Sequence, residues 1–361
     1  MYKLLTPGPL TTSDTVKEAM LVDHCTWDDD YKIITQAIRK ELLRLANVSE
    51  EEFTTVLLQG SGSFCVEAVL SSTLSKEDKL LICSNGAYGK RMVQMIQRHG
   101  VRHTVYQTDE NTAFDNNKIQ EILTHDPEIT AVTIVHNETT SGLLNDLEEL
   151  SQLVKEHELL FIVDAMSSFG GIPIAVKELG IHFLISSANK CIQGVPGFGF
   201  VICEREALAK TKGNARTVSL DLHEQQEVME KDGKWRYTSP THTVLAFAQA
   251  LKELQEEGGI EARYQRYFKN NQILYKQMTA LGFERYVKEG QGPFITSFLY
   301  PKYETFDFGS FYAYLKENGF AIYPGKISNA DSFRIGNIGD IYPEDMYQLT
   351  EKIKEYMEQI K

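Results

Sequence analysis

Leu159-Leu160-Phe161-Ile162-Val163-Asp164 closes an apolar run on a carboxylate, and a little further on His182-Phe183-Leu184-Ile185-Ser186 is followed by Ser187-Ala188-Asn189-Lys190. Runs this uniformly apolar do not suit a strand with one face in water; they read as strands buried on both faces, as in a parallel sheet. Working outward, residues 55–59, 79–84, 130–136 and 198–203 read the same way. Helical spacing fills much of the chain between them, at 63–73, 89–98 and 146–157. The alternation predicts an α/β fold with a mostly parallel central sheet and helices on both faces. Such sheets bind ligands beyond the carboxyl ends of their strands. Ser61 and Gly62, Asn137 and Thr139, Asp164, and the stretch 186–190 all fall there.

Beyond residue 243 a long helical region, broken at Gly258-Gly259, leads into a smaller α/β segment. Strands are expected there at 293–300 and 332–335, and helices near 306–318 and 343–359. The expected division is a large domain over 1–259, including an N-terminal segment 1–20, and a small C-terminal domain over 260–361.

The 361 residues are 42% apolar and 24% charged, with 37 basic against 50 acidic side chains and a net charge of −13. That balance, with no Lys/Arg-rich cluster, argues against nucleic acid or an anionic membrane as partner. Cys25, Cys65, Cys83, Cys191 and Cys203 form no C-x-x-C pair, and the nine histidines fall in no metal-ligand spacing, so no metal is expected. The polar N-terminus and the odd, scattered cysteines lead to the expectation of a cytoplasmic protein with reduced thiols.

Lys190 sits among small and polar residues ahead of Gly194-Val195-Pro196-Gly197. An amine in such a turn, with a carboxylate at a neighbouring strand end, is what pyridoxal 5′-phosphate (PLP) chemistry needs. The amine forms a Schiff base, and the carboxylate keeps the pyridine nitrogen protonated so that the ring accepts electrons. Read singly, each feature also has an ordinary explanation: a solvated lysine, and an aspartate paired with an arginine or a backbone cap. Gln59-Gly60-Ser61-Gly62-Ser63 follows a strand and opens a helix, which suits a phosphate. It is also a simple turn, or the start of a dinucleotide site. For the last, Cys65 stands at the third glycine position and no acid ends the run 80–84. Tyr88 stands at a helix start, free to stack on a flat ring or to fill a gap. Arg334, in Phe333-Arg334-Ile335-Gly336, is either an edge-strand side chain or a clamp for a carboxylate.

Together these segments resemble the fold-type I PLP-dependent transferases, in the branch of small aminotransferases that act on alanine, serine and glyoxylate. The likeness runs nearly the whole chain through Leu5-Thr6-Pro7-Gly8-Pro9, Gly60-Ser61-Gly62-Ser63, Asn85-Gly86-Ala87-Tyr88-Gly89-Lys90-Arg91, His136-Asn137-Glu138-Thr139, Val163-Asp164-Ala165-Met166, Ser187-Ala188-Asn189-Lys190 and Phe333-Arg334-Ile335-Gly336. It implies PLP held by Lys190, with Asp164 on the ring nitrogen. Ser61, Gly62 and Ser63 would take the phosphate with Asn189 close by, Tyr88 and Met166 would cover the two ring faces, and Thr139 would bond near the phenolic oxygen. Thr241, or its rival Ser239, would complete the phosphate site of a second subunit, making a homodimer with its active site at the interface. Arg334 would bind the substrate carboxylate. A closer likeness, in residues 23–31, 187–198 and 237–243, implies small-molecule substrates: 2-aminoethylphosphonate as amine donor and pyruvate as acceptor. The alternative within the branch is alanine or serine with glyoxylate. A PLP lyase or desulfurase would need a reactive cysteine such as Cys191.

Overall fold

The computed structural model describes residues 2–360, and within them seven strands form the central sheet. In chain order these are β1 (Phe53–Gln59), β2 (Lys79–Ser84), β3 (Arg102–Gln107), β4 (Ala131–Val135), β5 (Leu160–Asp164), β6 (Phe183–Ser187) and β7 (Phe198–Glu204). They lie in the order β1-β7-β6-β5-β4-β2-β3. From β6 to β3 every pairing is parallel, whereas β7 runs antiparallel to both β1 and β6. β4 and β6 are buried along their whole length, which is why apolar residues dominate them, with Thr133, Ser186 and Ser187 as their buried polar members.

Two elements lacked that signature. β3, Arg102-His103-Thr104-Val105-Tyr106-Gln107, is the sheet's edge and half wet, so its residues read as polar. The helix Asp29–Leu45 buries Tyr31, Thr35, Ile38, Arg39, Leu42 and Leu43, and two polar members hide the apolar stripe. The Arg39 guanidinium is satisfied inside by Thr55 O at 2.7 Å and by Glu230 at 2.7 Å.

Helices α1 (Gly62–Thr73) and α2 (Ala87–His99) start at the carboxyl ends of β1 and β2. The expected break in the long helical region separates α3 (Thr241–Glu257) from α4 (Gly259–Ala280), where Gly258 and Gly259 take φ of 108° and 82°. Glycine tolerates that left-handed backbone without a Cβ clash.

Apolar side chains gather in two main clusters. One surrounds the large sheet, from Val16 to Leu254; the other gathers Leu274, Phe298, Phe311, Phe333 and Leu349. The second packs around a three-stranded antiparallel sheet, β8 (Ile295–Leu299), β9 (Tyr323–Pro324) and β10 (Ser332–Gly336), in the order β8-β10-β9. The helix Phe308–Glu317 and α5 (Pro343–Ile360) cover it. Residues 3–5 pair and pack with the elements of the second cluster. Lys3–Leu4 pairs with Phe320–Ala321, Leu5 donates to Ala321 O at 2.8 Å and accepts from Gly336 N at 2.9 Å, and its side chain enters the second cluster. A two-residue strand has no periodicity to read, and its partner is decided by which sheet edge lies open. Among the described residues no helix is long and apolar enough to cross a membrane, and no group of three His, Cys, Asp or Glu could hold a metal ion.

Candidate active site

A cavity of about 180 Å³ lies at the carboxyl ends of β1, β2, β4, β5 and β6. Ser61, Gly62 and Ser63 reach it from the β1–α1 turn, and Tyr88 from the first turn of α2. Thr139 and Asn137 come from beyond β4, Asp164 from the end of β5 with Met166 after it, and Asn189 and Lys190 from beyond β6. The parallel topology thus brings together residues separated by well over a hundred positions in the chain.

At the floor, Asp164 is buried and accepts one hydrogen bond, from the Met166 N–H at 2.9 Å. Among the described residues no lysine or arginine pairs with it. Burial pushes its pKa up to about 6; the Met166 N–H opposes this and the nearby Glu138 charge adds to it. Lys190 donates from Nζ to the Pro7 carbonyl at 2.7 Å. Burial lowers its pKa to about 8, the attraction of Asp164 notwithstanding, so a useful fraction is neutral amine near physiological pH.

The β1–α1 turn makes an anion cradle. Ser61 caps α1 without a side-chain capping bond, and the Gly62 and Ser63 N–H groups donate to nothing among the described residues. These are orphan donors at the positive end of a helix. Arg91 donates to the Ser63 hydroxyl at 2.8 Å, bringing a cation to the cradle's edge. A Cβ at Gly62 would meet the Met166 thioether, which would have to move aside. Asn137 donates to Ser167 Oγ at 3.0 Å, while its buried Oδ1 has no partner.

Arg334 is buried behind Thr139 and does not line the cavity. Its Nε donates to Pro324 O at 3.1 Å and one Nη to Thr139 O at 3.0 Å, with the Tyr323 ring 5.0 Å away. Thr241, the first residue of α3, also lies outside the cavity and is half-buried. Its rival Ser239 is buried and shares a 2.6 Å hydrogen bond with the Tyr31 hydroxyl, so its oxygen is already engaged. Cys191 is fully buried, donates to Ser167 O at 3.3 Å, and has its thiol pKa pushed up to about 12 by burial. A thiol so protonated is a poor nucleophile.

Two features of the site carried no assigned role in the sequence. Glu138 is wholly buried and accepts from Tyr88 N and Thr140 N, both at 3.1 Å, and from the Thr140 hydroxyl. Burial raises its pKa. Its carboxylate ties the end of β4 to the start of α2 and so fixes Tyr88; a charged residue between Asn137 and Thr139 after an apolar strand was the available signal. The Pro7 carbonyl was the other, visible only as part of Leu5-Thr6-Pro7-Gly8-Pro9.

The donor set fits PLP. A buried, singly hydrogen-bonded carboxylate suits a cationic ring nitrogen, the helix start suits a phosphate, and the enclosed lysine of lowered pKa suits an aldehyde.

Residues 25–336 match the aminotransferase class-V family. A 2-aminoethylphosphonate–pyruvate transaminase of Lysinibacillus sphaericus is 57% identical over 357 residues, covering 99% of this chain and 97% of the relative. One from Bacteroides fragilis is also 57% identical, covering 98% of each. Among solved structures, pyridoxamine-pyruvate aminotransferase from Mesorhizobium loti superposes with a TM-score of 0.90 at 22% identity, over 99% of this chain and 92% of that one. Alanine–glyoxylate aminotransferase from Nostoc sp. gives 0.90 at 24%, over 99% and 95%. These likenesses show the fold, that of fold-type I, and the chain belongs to the class-V aminotransferases.

Proposed function

We propose that the protein is a PLP-dependent aminotransferase that moves the amino group of 2-aminoethylphosphonate to pyruvate, giving phosphonoacetaldehyde and L-alanine. The observation that carries the substrate is the 57% identity, across almost the full length of both chains, to relatives named for that reaction. The cavity carries the chemistry.

When bound, PLP supplies an aldehyde that condenses with a primary amine and a ring that withdraws electrons from the amine-bearing carbon. Lys190 is the amine that would hold it, and its Nζ, when free, would serve as the base that takes a proton from the amine-bearing carbon and gives it back. A pKa lowered to about 8 by burial makes the lysine a competent base near neutral pH, and the Pro7 carbonyl orients Nζ. Asp164 keeps a proton on the ring nitrogen, a pairing that relieves the cost of its own burial. Ser61, Gly62, Ser63 and Asn189 hold the phosphate through the N–H groups of α1 and the hydroxyl that Arg91 orients. Tyr88 and Met166, which line the cavity, would cover the ring, and Thr139 would bond near its phenolic oxygen. Arg334, two of whose nitrogens are braced by backbone carbonyls, binds the carboxylate of pyruvate.

The active assembly in this reading is a cytoplasmic homodimer. Trp27, Leu21, Ile33, Phe64 and Val218 are each more than half exposed, and Phe64 lies in α1 beside the cradle. Exposed apolar side chains in this number, Phe64 among them beside the cradle, suit a second subunit. Thr241 is the hydroxyl left available to reach across, because Ser239 is spent on Tyr31. The five cysteines are free, as a reducing compartment requires.

The test compares donors. Purified enzyme with PLP should form phosphonoacetaldehyde from 2-aminoethylphosphonate only when pyruvate is present. Faster turnover of serine or alanine with glyoxylate would assign it to the other activity of its branch. Turnover without any keto acid would make it a lyase.

A further inference from the structure

Three cations gather around Tyr88 and Tyr323, in a chain whose overall charge is −13. The Arg91 guanidinium lies 4.9 Å from the ring centroid and the Lys326 ammonium 5.7 Å. The third is Arg334, whose guanidinium lies 5.0 Å from the Tyr323 ring, and Tyr323 begins the strand leading to Lys326. None of the three pairs with a carboxylate within 4 Å among the described residues. The neighbouring ion pair belongs instead to Lys90, on Glu110 at 3.2 Å. Glu138, the nearest acid inside, spends its oxygens on Tyr88 N, Thr140 N and the Thr140 hydroxyl.

Lys326 is on the connection between β9 and β10, and that connection is clasped to the large domain. Glu110, itself buried, accepts the Ser328 N–H at 3.0 Å and the Ser328 hydroxyl at 2.9 Å, while Lys90 of α2 holds the same carboxylate. The Tyr286 hydroxyl adds a contact to Asn329 at 3.2 Å. The loop is therefore fixed relative to the helix that carries Tyr88 and Arg91, and the Lys326 side chain is held over the ring with its end in reach of solvent.

We propose that Lys326 is a specificity-determining residue, the cation that recognises the second negative charge of the phosphonate. A carboxylate carries one charge and is matched by Arg334. A phosphonate near neutral pH carries two and three acceptor oxygens, so it gains from a further ammonium that a carboxylate does not use. Arg91 stands on the cofactor side of Tyr88, bonded to Ser63, and Lys326 on the small-domain side, free of the cradle. This deepens the reading of the substrate given above and rests on it.

The experiment is Lys326→Met, which keeps the length of the stem and removes the charge, assayed with 2-aminoethylphosphonate and with L-alanine as amine donors. Specific loss is expected: kcat/KM for the phosphonate falls on the order of tenfold, and that for L-alanine changes less than about twofold. Lys326→Arg should keep the wild-type ratio of the two. The gap between wild type and Lys326→Met should close as pH falls through the second ionisation of the phosphonate. An unchanged phosphonate kcat/KM overturns the proposal, as does an equal loss for both donors, which would mark a merely structural loop residue. If the wild-type enzyme does not use 2-aminoethylphosphonate at all, the reading of the reaction fails first, and that result is distinct from either outcome of the substitution.

Discussion

The floor of the cavity and its rim are built in opposite ways. At the floor, Asp164, Asn137 and Ser187 are each 4% exposed or less, set at the ends of strands whose neighbours are apolar throughout. At the rim, Lys326 and Tyr323 are exposed, carried by a two-residue strand and the loop after it. Groups at the floor have pKa values moved by burial, because the low-dielectric surroundings penalise charge. Rim groups keep contact with water, and their selectivity comes from where they are held. The contrast teaches that reaction type is set in the interior, whereas the choice among amines is set by a few polar clasps.

The comparison breaks most easily at Lys190. Lys190→Ala should abolish the visible absorbance of the bound cofactor and lower transamination by at least about 10³-fold; a variant keeping a tenth of wild-type activity would reject the role.

Asp164→Asn sharpens the comparison by splitting function from stability. Activity should fall by about 10²–10³-fold. The protein stripped of cofactor should gain stability at neutral pH, and the sign follows from the raised pKa. The folded form keeps a proton that the unfolded chain has already released, so stability declines as pH rises from 3.8 towards about 6 and stays low above that. Removing the carboxylate removes the decline, worth up to about 3 kcal/mol. Denaturant midpoints at pH 4 and pH 7.5, for both forms without cofactor, measure it; equal midpoint differences at the two pH values would refute the assignment.

Arg334→Ala should raise the KM for pyruvate by about 10²-fold while PLP stays bound. An unchanged KM would move the carboxylate site elsewhere. At the rim, Glu110→Gln weakens the clasp without touching the cavity, and a loss of about threefold in kcat/KM for the phosphonate is expected, with L-alanine unaffected. The smallest effect concerns labelling of the stripped protein: amine-directed modification of Lys190 should rise through pH 8, well below the range of the surface lysines.

Much of the floor was legible in the sequence for the reason it works. Strands buried on both faces announce themselves as unbroken apolar runs, and a carboxylate or lysine directly after one has few bland explanations once several occur in order. The rim was not legible. Lys326 lies in Gly325-Lys326-Ile327-Ser328, a stretch with no period, and its importance comes from Glu110, more than two hundred residues away in the chain. The edge strand Arg102–Gln107 and the pairing of Lys3–Leu4 escaped for the same reason: short or half-wet elements are specified by partners that sequence spacing does not reveal. Arg334 stood out as a lone charge in an apolar strand, yet only the structure shows that the carbonyls of Thr139 and Pro324 hold it in place.

The first residues of the chain act as a lever. Leu5 is stitched to Gly336, two residues beyond Arg334, and Pro7 meets the Lys190 amine at 2.7 Å, so a span of three residues joins the strand of Arg334 to Lys190. Gly336 has no room for a methyl group, because a Cβ there would press on the Thr6 carbonyl. A side chain added at that distant glycine would consequently be felt at the Lys190 amine, through the backbone alone, without touching the pocket.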